Sequence, residues 1–296
     1  MNINNKNMVF GIIGCGRLGI CLAVFLSRQG FEAKAFSSKH LESAKTACEF
    51  VGTGRVYEDP VDVAKSCPIV FITTPDTVIE SVCERIASKN GFQKDAMVFH
   101  LSGALSSSIL VSAKSNMAHV GSIHPLQSFA PYETGQESPF KGINISIEGD
   151  AAAVELGKEI VNALKANFFT IPTDAKTVYH AAAVVASNYL VTVEHFALQL
   201  LKAADISEEN AYEILEPLIM GTLGNIKARG SIDALTGPVA RGDDEIVSRH
   251  LVDIDKKLPQ FSSLYRLLGS HTLDIAKQQG QITPDAVKKL STLFTS

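Results

Sequence analysis

Val9-Phe10-Gly11-Ile12-Ile13-Gly14-Cys15-Gly16-Arg17-Leu18-Gly19 is the stretch that decides the fold. Its first half is an apolar run that reads as a buried strand. Its second half sets Gly14, Gly16 and Gly19 at the spacing Gly-x-Gly-x-x-Gly where a helical pattern begins. Each glycine has its own physical role. Gly14 permits a tight turn, Gly16 lets backbone approach a pyrophosphate, and Gly19 lets helix and strand pack closely. A helix N-terminus offers unpaired N–H groups and the positive end of its dipole to phosphates. Gly14, Cys15, Gly16, Arg17, Leu18 and Gly19 are therefore the expected cradle of a dinucleotide.

The pattern continues outward. Strand-like runs begin at Val9, Glu32, Ile69, Ala96, His119 and Ile143, and Phe168 to Ile171 reads as a last strand. Helical patterns lie between them at Leu18 to Gln29, Leu41 to Phe50, Asp76 to Ser88, Ser106 to Lys114 and Ala151 to Ala166. Alternation of this kind predicts an α/β fold, a doubly wound parallel sheet wrapped by helices. After Pro172 the strand-like runs stop. Helices are expected from Asp174 to about Ala204, Ser207 to about Lys227, Asp243 to Lys257, Gln260 to Gln279 and from Thr283, with Thr173 or Asp174, Ser207 and Thr283 as caps. The expectation is two domains: residues 1–172 as a nucleotide-binding Rossmann domain and 173–296 as an all-helical domain for substrate and dimerisation. The first C-terminal helix would be about 45 Å long, more than a small monomeric domain covers, which predicts a homodimer.

The end of the second strand selects the dinucleotide, because a carboxylate there accepts hydrogen bonds from the ribose of NAD. Here Ser37, Ser38 and Lys39 stand instead, with no acid before Glu42. They are donors suited to the 2′-phosphate of NADP, with Arg17 as a further contact, and NADP is favoured over NAD. Thr73, Thr74 and Pro75 close the run from Ile69 and would line the cofactor cleft; Ser102 follows the run from Ala96 as a candidate for catalytic polar work. The run from His119 ends in His124, beside the expected nicotinamide. An imidazole titrates near neutrality, which suits proton exchange with a carbonyl or alcohol.

These motifs resemble a superfamily that includes 6-phosphogluconate dehydrogenase, pyrroline-5-carboxylate reductase and the 3-hydroxyacid dehydrogenases. Gly121-Ser122-Ile123-His124-Pro125 is similar to the Gly-x-His-Pro segment of prephenate dehydrogenases, and the resemblance implies a catalytic His124. HPLQSF, HAAAVVASNYL and ALTGPVARGD together resemble a bacterial family of Rossmann-like oxidoreductases whose helical C-terminal domain has no assigned function. That likeness spans nearly the whole chain and implies an NADP-dependent oxidoreductase without supplying a substrate. The chain departs from the hydroxyacid dehydrogenases in lacking their Lys-x-x-x-Asn pair: four residues after Lys176 stands His180.

On an unbroken helix Lys176, His180, Ser187 and Glu194 fall within about 40° of one another, with Asn188 about 80° from His180. In the superfamily this helix faces the nicotinamide. His180 is thus a catalytic candidate, and Lys176, Ser187 and Asn188 are substrate-binding ones. The turn Leu235 to Asp243 adds Thr236, a hydroxyl, and Arg241, a planar fork of donors for an anionic substrate end; pairing with Asp243 or Asp244 is the plain alternative for Arg241.

Composition narrows the partners. A formal charge of -4 with 20% charged residues offers no basic surplus for nucleic acid, and no apolar run reads as long enough to span a membrane. The polar start MNINNKN has no signal-peptide core, so a cytoplasmic protein is expected. The five cysteines lack a Cys-x-x-Cys pair and read as reduced and mostly buried; no metal site is expected. The working expectation is hydride transfer between NADP and a small carbonyl, hydroxy or imine compound held between the domains. The alternatives are a non-enzymatic NADP-binding redox sensor and a prephenate-dehydrogenase-like enzyme.

Overall fold

The computed structural model describes residues 8–295. Its described chain divides into two compact units, split between Ala186 and Ser187.

The first unit is built on one sheet of eight strands in the order β3-β2-β1-β4-β5-β6-β7-β8. These are β1 Val9–Ile13, β2 Glu32–Ser37, β3 Arg55–Val56, β4 Ile69–Ile72, β5 Met97–His100, β6 His119–Pro125, β7 Asn144–Gly149 and β8 Asn167–Thr170. Every pairing is parallel except β6 with β7, which is antiparallel. The doubly wound, mostly parallel sheet read from sequence is present, with this one antiparallel pairing. No crossover helix joins β6 to β7, so the chain can reverse direction at that edge.

Helices α1 Arg17–Arg28, α2 Leu41–Val51, α3 Pro60–Ser66, α4 Asp76–Ser88 and α5 Ala151–Ala163 cover the sheet. β3 and α3 escape the sequence reading because a two-residue strand and a seven-residue helix have too little periodicity to register. Asp59 caps α3, its carboxylate accepting from the Val61 N–H at 3.0 Å. The segment Ser107–Asn116 is a 3-10 helix, where the sequence predicts an α-helix. Aliphatic and aromatic residues fill both faces: Phe10, Ile12, Phe36, Phe71 and Phe99 on one, Ile13, Val70, Ile72, Val98 and Val120 on the other.

A single row of the register explains where polarity enters. Ser37, Ile13, Ile72, His100, Ser122 and Glu148 are successive partners across β2, β1, β4, β5, β6 and β7. Side chains paired across a sheet share a face. The row is aliphatic at its centre and polar toward β7, and His124 and its partner Ser146 continue the polar side two residues on.

A 3-10 turn, Thr173–Ala175, leads into α6 Lys176–Val184, then a π turn Val185–Tyr189 and α7 Leu190–Ala203. The π turn takes one extra residue, so positions beyond it slip by roughly 100° against an α-helical projection. The stripe that joins Ser187 and Glu194 to Lys176 and His180 on an unbroken helix is therefore interrupted. By length and composition the run Thr173–Ala203 could cross a membrane: an 18-residue window has a mean hydropathy of 1.3, and 6% of it is buried. This corrects the expectation that no run is long enough.

In the second unit follow α8 Ala211–Asp233, α9 Pro238–Arg241, α10 Asp244–Lys257, α11 Ser262–Gln279 and α12 Pro284–Thr295. Val247, Leu251, Leu273, Leu290 and Phe294 form its core. Thr283 caps α12 as expected, accepting from the Ala286 N–H at 3.3 Å. All five cysteines are free thiols, and four are buried.

Candidate active site

The glycine loop joins β1 to α1. Gly14 has φ of 106°, and a Cβ there would meet the Thr74 nitrogen at 2.6 Å, so only glycine fits. Gly19 packs against Gly14, where a Cβ would stand 2.7 Å from the Thr73 hydroxyl. A Cβ on Gly16 would meet nothing within 4 Å. Gly16 also begins α1 without a side-chain cap, leaving that helix end open to an anion. The hydroxyls of Ser37 and Thr74, at the ends of β2 and β4, are buried without hydrogen-bond partners. These features fit a dinucleotide. Of the proposed 2′-phosphate contacts, Ser37 is buried and Ser38 half-buried, whereas Lys39 and Arg17 are exposed. Cys15 is buried, which pushes its thiol up to about 12 and keeps it inert. Leu18 packs on the core, and Pro75 precedes α4.

At the polar end of the sheet the first unit brings together His124, Lys176, Tyr179 and His180. The Lys176 ammonium is 1% exposed and donates to the Ser122 hydroxyl at 2.7 Å. Burial lowers its pKa to about 8, against the opposing pull of Glu148 and Asp76. His124 Nδ1 lies 3.0 Å from the Tyr179 hydroxyl, and its ring centroid is 6.0 Å from that of His180. Burial, then the charges of Lys176, His180 and His100, push the His124 pKa down to about 3, so the ring is neutral at physiological pH. Gly103 makes room for this cluster: a Cβ there would stand 2.5 Å from His180 Cδ2 and 2.6 Å from His124 Nε2.

Beneath the cluster lies Glu148, 2% exposed. It accepts from the Ser107 N–H and hydroxyl, each at 2.7 Å, and from the Thr173 hydroxyl at 2.9 Å. Thr173 is thus a ligand of Glu148, not the helix cap expected of it. His100 is fully buried; it accepts from the Ser102 N–H at 3.1 Å through Nδ1, and burial holds its pKa down to about 4. The Ser102 hydroxyl is committed locally: it donates to Asp76 at 2.7 Å and accepts from the N–H groups of Ala104 and Leu105. Sequence reasoning missed Gly103, Glu148 and Tyr179; the phenol next to His180 was the one visible signal.

The remaining candidates belong to the second unit. Ser187 and Asn188 are exposed on the π turn, and Thr236 is exposed before α9. Arg241 is 66% exposed and approaches Asp243 only at 3.8 Å, a long surface pair of little energetic weight. Among the described residues no group of three or more His, Cys, Asp or Glu side chains could hold a metal ion.

Sheet, glycine loop and helical C-terminal region define a Rossmann-type protein with an all-helical second part. Comparison makes this specific: residues 1–125 match a Rossmann-like domain and residues 143–272 match a domain of unknown function, DUF2520, so the chain joins these two modules. No curated protein matches it. A Thermotoga maritima protein of known structure is 27% identical, with a TM-score of 0.70, covering 92% of this chain and 99% of that one. A Bacteroides fragilis protein, provisionally described as an NADP oxidoreductase, is 23% identical with a TM-score of 0.73, covering 92% and 100%. An imine reductase from Myxococcus stipitatus in complex with NADP+ is 13% identical with a TM-score of 0.64, covering 95% and 99%.

Proposed function

We propose that the protein is a cytoplasmic NADP-dependent oxidoreductase that transfers a hydride between the nicotinamide and a small carbonyl, hydroxy or imine compound. One observation carries this reading: the open glycine loop after β1 and the imidazole of His124 stand at the carboxyl ends of strands in one sheet, where open α/β sheets bind their ligands. The names of the Bacteroides and Myxococcus proteins support it.

When bound, the dinucleotide supplies or accepts the hydride. Gly14, Gly16, Gly19 and the start of α1 would hold its phosphates, Thr73, Thr74 and Pro75 would flank it, and Ser37, Ser38, Lys39 and Arg17 would take a 2′-phosphate. His124, neutral at rest, binds and polarises the reacting group, and His180 lies beside it. Arg241 is the proposed partner of a charged substrate end. Exposed apolar side chains such as Val178 (76%), Val191 (68%) and Leu218 (69%) support a homodimer.

The test has two parts. Titration with NADPH and NADH measures the cofactor preference, and Lys39→Glu should erode it. With a substrate found by screening NADPH oxidation, His124→Ala should retain cofactor binding and lose about 10²-fold or more in turnover; unchanged turnover overturns the assignment of His124.

A further inference from the structure

We propose that Tyr179 is a positioning residue that fixes His124 as a neutral donor through Nε2–H, so that this site takes an oxygen-bearing reacting group, a carbonyl, and turns away a protonated iminium. The proposal rests on the oxidoreductase reading and narrows its substrate class.

The Tyr179 hydroxyl and His124 Nδ1 are 3.0 Å apart, so one must donate to the other. A phenol is the more acidic donor and an imidazole nitrogen the stronger acceptor, so the pair closes as O–H···N. Burial raises the Tyr179 pKa, which keeps that proton on the phenol. With Nδ1 occupied as an acceptor, the ring proton resides on Nε2. Nε2 is the nitrogen on the Gly103 side of the ring, where a Cβ would stand 2.6 Å from it.

A fixed N–H donor decides what it meets, because only a group with a lone pair can accept from it. Lys176 faces it from the helix and works against a second ring proton on His124, with His180 beside it, while His100 on β5 is itself held neutral by burial. Glu148 accepts from Ser107 and Thr173, and Asp76 from the Ser102 hydroxyl; both carboxylates keep their charge and act on Lys176, so no net positive charge is built around the ring. A carbonyl oxygen has lone pairs for Nε2–H, and that donor stabilises the negative charge that develops on it. The reactive form of an imine is its protonated iminium, which has no lone pair to accept from Nε2–H.

The tautomer is readable without a substrate, by ¹⁵N-resolved NMR of the histidine rings. At neutral pH His124 is expected to show a protonated Nε2 and an unprotonated, hydrogen-bonded Nδ1. Tyr179→Phe should move Nδ1 to the frequency of a bare nitrogen while thermal unfolding changes little. A protonated Nδ1 in the wild-type protein, with the phenol turned toward Ser146 across β7, overturns the proposal. Two rings of equal size then test the class: cyclopentanone should perturb the Nε2–H resonance, and pyrrolidinium should not. A pyrrolidinium response equal to or greater than that of cyclopentanone overturns the preference for oxygen. NADPH titration of the same sample keeps the two readings apart: absent cofactor binding with the tautomer pattern intact removes the oxidoreductase assignment and leaves the Tyr179 role standing.

Discussion

The ammonium of Lys176 sits 2.7 Å from the hydroxyl of Ser122, on a side chain that is 1% exposed. A buried lysine whose pKa falls from its ordinary 10.5 to about 8 destabilises the fold while it holds its proton. Between pH 8 and 10.5 the unfolded chain binds that proton and the folded one does not, so stability rises through this window and the cost is fully present below it. Lys176→Met removes the window. Urea midpoints at pH 7.5 and 9.5 should therefore rise with pH in the wild type relative to the variant. His124 should titrate higher in the variant, because one of the cations acting on it is gone.

The glycine loop tests fold and ligand separately. Gly16→Ala adds a methyl where nothing lies within 4 Å, so thermal stability should hold while NADPH affinity falls at least roughly tenfold. Gly14→Ala, at φ of 106° and against Thr73 and Thr74 backbone, should lower stability by about 1–3 kcal/mol. Equal NADPH affinity in wild type and Gly16→Ala would argue against phosphates at this loop. Calorimetry on both variants reads the two effects together.

How much of this was legible in the sequence follows from the range of each interaction. The Gly14-x-Gly16-x-x-Gly19 turn and the strand-end His124 are local statements, written in consecutive residues, and the sequence shows them. Glu148 meets Ser107, 41 residues away, only because β7 is placed beside the 3-10 segment that follows β5, and no local pattern encodes that contact. Gly103 looks like an ordinary turn glycine until His124 and His180 are placed over it. The π turn at Val185–Tyr189 defeats a projection that assumes 3.6 residues per turn, which is why such a projection groups Ser187 with Lys176.

His100 makes the fold sensitive to acid. Its ring is fully buried with a pKa near 4 against an ordinary 6.5, so as pH falls below 6.5 the unfolded chain takes up the proton first. Stability is complete above pH 6.5 and declines toward pH 4 by about 3 kcal/mol from this one group. His124 adds a loss of the same sign down to about pH 3. His100→Asn keeps an acceptor for the Ser102 N–H and cannot take up a proton, so the drop in urea midpoint between pH 7 and 5 should shrink in that variant. An equal drop in both proteins would place the acid sensitivity elsewhere.

Gly103 offers the sharpest separation of site from scaffold. A methyl group at this position would stand 2.5 Å from His180 Cδ2 and 2.6 Å from His124 Nε2, distances that real Cβ contacts do not tolerate. Both opposing groups are half-buried ring edges, so the rings can yield more readily than backbone could. Gly103→Ala should therefore cost stability only by about 1–3 kcal/mol, the usual range for overpacking. The displaced rings should change the His124 and His180 NMR resonances, with the Tyr179 hydrogen bond to Nδ1 weakened or lost. Affinity for NADPH should stay near the wild-type value, because the glycine loop lies on β1 and α1 and is not altered. Turnover of an identified substrate should fall by about 10²-fold, since a reacting group loses its donor when misplaced by about 1 Å. Wild-type turnover in a folded Gly103→Ala protein would mean that the chemistry does not occur at His124.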